Sequence, residues 1–308
     1  MKKLFLFLSV FVLFLSSCKS SKQIAKAHHT TDGVELSKLD ASDTIPKDAE
    51  VLESEVSVPS HYEGVSRIKH YDFAHPDVPK SFDGFQIAFI SDLHYKSLFK
   101  QQGLFDLVSL LKELNPDALF MGGDYYEDCE NIPELFKELS KVKPKYGTYA
   151  VLGNNDYERC YDESTSTMAK YKISVLEHQV DTIRKGREFI LVAGIRNPFD
   201  LKNNGISPTL SLHPNDFVVL LTHTPDYAEE VSIRNSDLVL AGHTHGGQVR
   251  ILGYAPIIPS KYGQRFLTGL KYTTAGYPMI VTNGIGTSQI DVRVSSPSEI
   301  VVITLKRL

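Results

Sequence analysis

The sequence contains no tryptophan and only three cysteines in 308 residues. Three cysteines with no CxxC pair exclude a disulfide-rich scaffold. There is no excess of positive charge either: 33 Lys and Arg stand against 37 Asp and Glu, for a net charge of −4. A broad basic surface for nucleic acid is therefore not expected. No apolar run reaches the roughly 20 residues that a bilayer-spanning helix needs. Internal repeats and low-complexity tracts are also missing. What remains is an ordinary globular composition, 42% apolar and 23% charged, with 20 Gly and 15 Pro. That balance argues against wholesale disorder and against fibrous or coiled-coil structure.

The first 18 residues differ from the rest. Lys2 and Lys3 precede an apolar run over residues 4–15, and Ser16, Ser17 and Cys18 follow. Twelve apolar-dominated residues suit the central region of an export signal. The stretch Leu15-Ser16-Ser17-Cys18 resembles a bacterial lipobox, which implies cleavage after residue 17 and lipid attachment at Cys18. The expected organisation is a signal peptide over 1–17, a polar tether over 18–60 and one domain over 61–308. From Lys19 to Ser60 there are 5 Lys or Arg and 8 Asp or Glu. That composition reads as a spacer holding a domain off a membrane, with room for a surface helix. His28-His29 reads as a solvated pair.

Beyond Tyr62 the patterns become regular. Residues 86–91, 118–121 and 148–152 are short apolar runs of strand character. Residues 103–114 place Leu104, Leu107, Val108, Leu111 and Leu114 at helical spacing, stopped by Asn115-Pro116. Pro133 opens a second helix, through residue 142. Further strands are expected at 188–195, 217–221, 238–241, 248–252, 279–282 and 300–305. Strand and helix alternate early and strands dominate late, which predicts an α/β domain of two stacked sheets flanked by helices.

Polar residues collect where these strands end. QIAFIS leads into Asp92-Leu93-His94, ALFM into Gly122-Gly123-Asp124, and TYAVL into Gly153-Asn154-Asn155-Asp156. FVVLL leads into Thr222-His223, and DLVLA into Gly242-His243-Thr244-His245. The carboxyl edge of an α/β sheet is where ligands bind. Five of these strands each deliver a carboxylate, an amide or an imidazole there.

The order D-x-H, G-G-D, G-N-x-D, lone H, G-H-T-H resembles the calcineurin-like metallophosphoesterase superfamily across residues 85–290. GHTHGGQVRILG, KYGQRFLTGL and TNGIGTS are similar to a bacterial exported or membrane-associated branch. The resemblance implies an α/β fold, the calcineurin-like double β-sandwich flanked by helices in four layers. It also implies two divalent metal ions, Mn²⁺, Fe or Zn²⁺. Asp92, His94 and His245 would hold one, Asn154, His223 and His243 the other, and Asp124 would bridge them. In such a centre a bridging hydroxide attacks phosphorus in line. The implied activity is that of a phosphodiesterase or pyrophosphatase on a phosphoester substrate, anchored in the cell envelope. Two alternatives stand beside it: a hydrolase of the UDP-2,3-diacylglucosamine type, and an envelope lipoprotein that binds metal and phosphate without turnover.

One position departs from the family. Most relatives carry His after the motif asparagine, as a proton donor to the leaving oxygen or to steady the phosphoryl group; this chain has Asn155. An amide donates a hydrogen bond but not a proton. Three readings follow: a preference for good leaving groups, a substitute donor (Tyr157, Glu158 or His178), or binding without turnover. Asp156 is expected to orient its neighbours rather than bind metal. Lys261, Tyr262 and Arg265 are candidates for holding a second phosphate, with solvated surface as the alternative. The Gly284-Ile285-Gly286 turn reads as a backbone feature near the site. Cys129 and Cys160 lie five or six residues beyond Asp124 and Asn154, on loops leaving one sheet edge; a bridge bracing the rim is one reading, two unpaired thiols the other.

Overall fold

A computed structural model of the chain describes residues 48–308. The signal peptide, Cys18, the His28-His29 pair and most of the tether lie outside the described residues. Two mixed sheets form the framework. The first contains β1 (Glu50–Ser57), β2 (Arg67–His75), β3 (Gln86–Ile90), β4 (Ala118–Met121), β5 (Thr148–Ala150), β6 (Ile173–Val175) and β13 (Glu299–Arg307), in the order β1-β2-β13-β3-β4-β5-β6. The second contains β7 (Gln179–Lys185), β8 (Glu188–Gly194), β9 (Val218–Thr222), β10 (Leu238–Ala241), β11 (Gly269–Tyr272) and β12 (Pro278–Val281), in the order β11-β12-β10-β9-β8-β7.

The central strands are apolar along their whole length because both faces are covered. On β3, Ile87 and Phe89 enter the core between the sheets, while Ala88 and Ile90 join the core under the helices. On β9, Val219 and Leu221 face the other sheet, while Val218 and Leu220 face outward into a third core. Each such side chain contributes about 1.5–3 kcal/mol by leaving water. On the outer face of the first sheet lie α1 (Gln101–Leu114), α2 (Ile132–Leu139) and α4 (Tyr161–Lys170). Leu104, Leu107, Val108 and Leu111 of α1 are buried there, and Asn115 ends the helix in the left-handed conformation at φ 46°. Short helices α3 (Asn154–Glu158), α5 (Leu201–Asn204) and α6 (Asp226–Glu230) sit at strand ends. The layering is helix, sheet, sheet, helix, as the patterns predicted. Among the described residues no helix is long and apolar enough to cross a membrane.

Two expectations are corrected. The polar stretch before residue 60 is not all spacer, and where described it holds a strand rather than a helix: β1 pairs antiparallel with β2 from Glu50↔Ala74 to Ser57↔Arg67. Its side chains are mostly exposed, so an edge strand reads as solvated tether. Residues 248–252 form no ladder strand, only isolated bridges of Val249 with Val294 and of Ile251 with Tyr254. The alternating apolar residues there mark a projecting loop.

Strands β3, β4 and β5 run parallel, as do β8, β9, β10 and β12. The carboxyl ends of the two parallel sets meet: the His243 N–H after β10 donates to the Asp92 carboxylate after β3 at 3.0 Å. That edge holds the site. Cys129 and Cys160 are joined there as a disulfide, with Cα atoms 5.9 Å apart and 31 positions between them in sequence. The bridge ties the loop after β4 to the amino end of α4. Closing a loop of that length is worth about 3–4 kcal/mol through the unfolded chain. The Cys129→Ser/Cys160→Ser protein is expected to lose about that much in denaturant titration, with metal binding retained.

Candidate metal centre

The side chains at the strand ends converge in two groups. Asp92, His94 and His245 offer ligand atoms within 4.8 Å of one another, and so do Asp124, His223 and His243. Asp124 belongs to both in practice. Its Oδ2 lies 3.5 Å from His94 Nε2 and 3.4 Å from His223 Nε2. His245 Nε2 lies 3.5 Å from Asp92 Oδ1, and His243 Nδ1 lies 3.1 Å from His223 Nε2. Two imidazole nitrogens that close suit a shared electrophile between them. Asn154 opens α3 next to Asn155, whose N–H donates to Asp124 Oδ1, and its Nδ2 donates to Asn155 Oδ1 at 2.9 Å.

The backbone is bent to make this arrangement. Asp92, His94, Asp124, His243 and His245 all have positive φ, between 40° and 69°. A left-handed conformation costs a non-glycine residue about 1–3 kcal/mol and clusters at functional sites. Two glycines are required by close approach. A Cβ on Gly153 would stand 2.1 Å from Asp124 Oδ1, and one on Gly242 would stand 2.3 Å from Asp92 Oδ2. The motif glycines beside Asn154 and His243 are therefore the space into which the two carboxylates fit.

Surrounding groups fix the ligand orientations. His223 Nδ1 donates to Gly122 O at 2.8 Å, which leaves Nε2 facing Asp124. His94 Nδ1 meets Glu127 Oε1 at 2.7 Å. Asp92 accepts the His243 N–H at 3.0 Å on both oxygens. Asp156 accepts from the N–H groups of Gly153, Asp124 and Tyr125 at 2.8–3.1 Å. That is the orienting role expected from its sequence position. The Gly284–Gly286 turn packs on Asp92, with the Gly286 N–H donating to Asp92 O at 2.7 Å. Such partners commonly govern ligand geometry and affinity.

Buried charges compete strongly here. Burial alone would raise the Asp124 carboxyl, but the rings of His223, His94 and His243 outweigh it and hold the carboxyl well below the usual range. Burial would lower His223, yet Asp124 and Asp92 carry it up to about 9. His243 is pushed down to about 3 by burial and by the neighbouring His223. The donor set fits divalent cations on independent grounds. His94 Nε2 and Asn154 Oδ1 are buried without a hydrogen-bond partner. Two carboxylates, four imidazoles and an amide oxygen, with no thiolate, form the mixed nitrogen and oxygen set that borderline divalent metals take.

The other candidates make contacts of their own. Lys261 Nζ pairs with Glu230 at 2.8 Å and Arg265 Nη1 with Glu229 at 2.7 Å, both acids on α6. The Tyr262 ring packs 5.3 Å from Phe266. These contacts fasten the loop after Tyr254 to α6. Tyr157 OH is engaged by Glu177 and by the Asn197 N–H, and His178 spans Ile206 O and the Arg196 N–H. Glu158 is exposed. The residues missed from sequence are Glu127 and Arg293. Arg293 reaches His245 O, Asn283 O and Gly286 O at 2.6–3.3 Å, behind the His245 ring. Glu127 lies three residues past Asp124, too ordinary a spacing to signal a partner for His94.

Residues 85–247 match the family model described as calcineurin-like phosphoesterase. The chain is 30% identical to the uncharacterized metallophosphoesterase YkuE of Bacillus subtilis, over 74% of this chain and 82% of the relative. It is 31% identical to phosphodiesterase YaeI of Escherichia coli, over 62% of this chain and 74% of the relative. An uncharacterized metallophosphoesterase of Aquifex aeolicus is 27% identical, over 78% and 92%. The stretch matched by the family model contains all seven candidate ligands, from Asp92 to His245, and the chain belongs to the calcineurin-like phosphoesterase family.

Proposed function

We propose that this protein is a metal-dependent phosphoester hydrolase, a phosphodiesterase or pyrophosphatase, held in the cell envelope through a lipid on Cys18. The observation that carries the catalytic reading is Asp124, whose Oδ2 stands within 3.5 Å of a histidine from each of the two groups. Asp92, His94 and His245 are the residues to hold one divalent ion, and Asn154, His223 and His243 a second, with Asp124 shared. Bound there, divalent ions supply Lewis acidity, a water made acidic enough to attack phosphorus, and charge to offset the phosphoryl oxygens.

The chain's own residues set the leaving-group preference. Asn155 stands at the rim, its N–H donating to Asp124 Oδ1 at 3.0 Å and its Nδ2 3.4 Å from His94 Nδ1. Its amide orients a phosphoryl or leaving oxygen without delivering a proton. Tyr157 and His178 are committed to structural bonds, so neither replaces the missing donor. The favoured substrates are those whose leaving group departs unprotonated, such as an aryl oxide or the phosphate of a pyrophosphate bond. Phe199, 46% exposed, packs its ring 5.0 Å from that of His243 and gives the site an apolar wall.

Export is supported by the residues 15–18 and by the Cys129–Cys160 disulfide, a bond that oxidising compartments permit. The full chain with Mn²⁺ is expected to hydrolyse bis-p-nitrophenyl phosphate, to stop on addition of EDTA and to recover with added Mn²⁺. Metal binding without hydrolysis of any phosphoester would leave a binding protein instead. Labelled fatty acid is expected to enter the chain and to be lost in Cys18→Ala; unchanged labelling would refute the anchor.

A further inference from the structure

The segment that leaves the metal centre after His245 turns apolar side chains outward. The short turn His245–Gly247 leads to Ile251, then through Leu252 and Gly253 to Tyr254. The Ile251 N–H donates to Tyr254 O at 2.9 Å, and the Tyr254 N–H to Ile251 O at 3.0 Å. Leu252 and Gly253 have φ of 51° and 84°. This is the two-residue hairpin turn whose usual occupants are Asn-Gly or Asp-Gly. A bulky residue at positive φ is strained, and the Leu252 side chain is 103% exposed. Neither backbone preference nor burial favours leucine at that tip, so folding does not account for it.

The tip has apolar company. Ile251, Tyr254 and Ile257 are 65%, 61% and 78% exposed, and Ile290 and Val292 on the adjoining loop are 58% and 47% exposed. The two loops are tied together. The Arg250 N–H donates to Val294 O and the Val294 N–H to Gln248 O, both at 2.9 Å. The Gln248 amide donates to Ile290 O at 2.8 Å and accepts from the Ser288 N–H at 2.9 Å. The surface is therefore built, with its base at the metal centre: Arg293 holds His245 O at 3.3 Å.

We propose that this hairpin and the loop beside it insert into the headgroup–acyl boundary of a lipid bilayer and turn the metal centre toward phosphoesters at the membrane surface. The second half of that statement rests on the hydrolase reading above; the first does not. Two observations select a bilayer over a protein partner. The patch is a projecting tip of aliphatic side chains with a tyrosine, the composition of interfacial anchors, rather than a groove. The chain before residue 48 also contains Lys2, Lys3, an apolar run and Cys18. About 30 residues separate Cys18 from residue 48, a contour length of at most about 100 Å, so a lipid on Cys18 would keep the domain close to a membrane.

The absence of tryptophan makes a direct test available. Leu252→Trp places a single indole at the tip, and Leu308→Trp places one at the opposite end of the sheet, on a residue 53% exposed. Each full-length protein is bound to vesicles of phosphatidylethanolamine and phosphatidylglycerol with brominated acyl chains. Quenching several-fold stronger for Leu252→Trp than for Leu308→Trp is expected. Equal, weak quenching while both proteins sediment with the vesicles would overturn the proposal, leaving the N-terminus as the whole attachment. A shielded Leu252→Trp indole that brominated lipid does not quench, in a protein that cross-links to itself, would also overturn it in favour of a protein surface. Hydrolysis of soluble bis-p-nitrophenyl phosphate is read on the same samples. Its loss with quenching intact would sink the hydrolase reading and leave the docking surface standing.

Discussion

Replacing Asp124 with alanine is expected to lower kcat/KM for bis-p-nitrophenyl phosphate by about 10³-fold or more. Divalent cation binding, followed by calorimetry, should fall with it. Asp124 Oδ2 is the only carboxylate oxygen among the described candidates placed within 3.5 Å of histidines from both groups. Its Oδ1 also accepts the Asn155 N–H that opens α3. Alanine therefore removes a negative charge that both groups share, and leaves His223 buried without the carboxylate that raises its basicity. Two like-charged cations at such a site repel, and loss of the shared anion removes what offsets that repulsion. Because alanine also deletes a buried acceptor, Asp124→Asn is the control. It keeps the shape and the Asn155 contact, so its thermal midpoint should stay close to the parent while metal binding still fails. Activity of Asp124→Ala within about tenfold of the parent would refute the assignment.

The candidate ligands were legible because their strands are buried on both faces. A continuous apolar run that stops at Asp92, Asp124, Asn154, His223 or His243 marks the carboxyl end of a strand without any knowledge of pairing. Conformation was not legible in the same way. Nothing in the residue types of Asp92, His94, Asp124, His243 and His245 announces positive φ at all five; that belongs to the tight turns by which the chain leaves the strand ends of two stacked sheets. The polar edge escaped for the opposite reason. On β2 the buried residues are Lys69, Tyr71, Phe73 and His75, and Lys69 pairs with Glu53 of β1 at 3.0 Å. Such a strand hides its periodicity behind charged side chains that are buried only because a partner lies across the ladder. The ion pairs of Lys261 and Arg265 were hidden by distance along the chain. Their partners Glu230 and Glu229 lie 31 and 36 positions away, beyond the reach of any local pattern. The apolar alternation at 248–252 was real, but Ile251 and Leu252 are exposed on a loop rather than set in a sheet.

Asn155→His is expected to raise turnover of an alkyl phosphodiester by about 10²-fold and to leave p-nitrophenyl esters nearly unchanged. The position is suited to the exchange. Asn155 is the second residue of α3, half-buried, with its side chain reaching toward His94 while its N–H holds Asp124. An imidazole there can carry a proton near neutral pH, which the amide cannot. Proton delivery matters only where the leaving oxygen is strongly basic. The gain should therefore grow as the leaving group worsens, and a plot of rate against leaving-group pKa should flatten in the variant. An equal gain on aryl and alkyl esters would mean that histidine improves placement of the phosphoryl group rather than supplying a proton. No gain on either would mean that the natural substrate of this chain asks for no acid at that position. In that case the asparagine reflects the bond cleaved rather than a defect in the site.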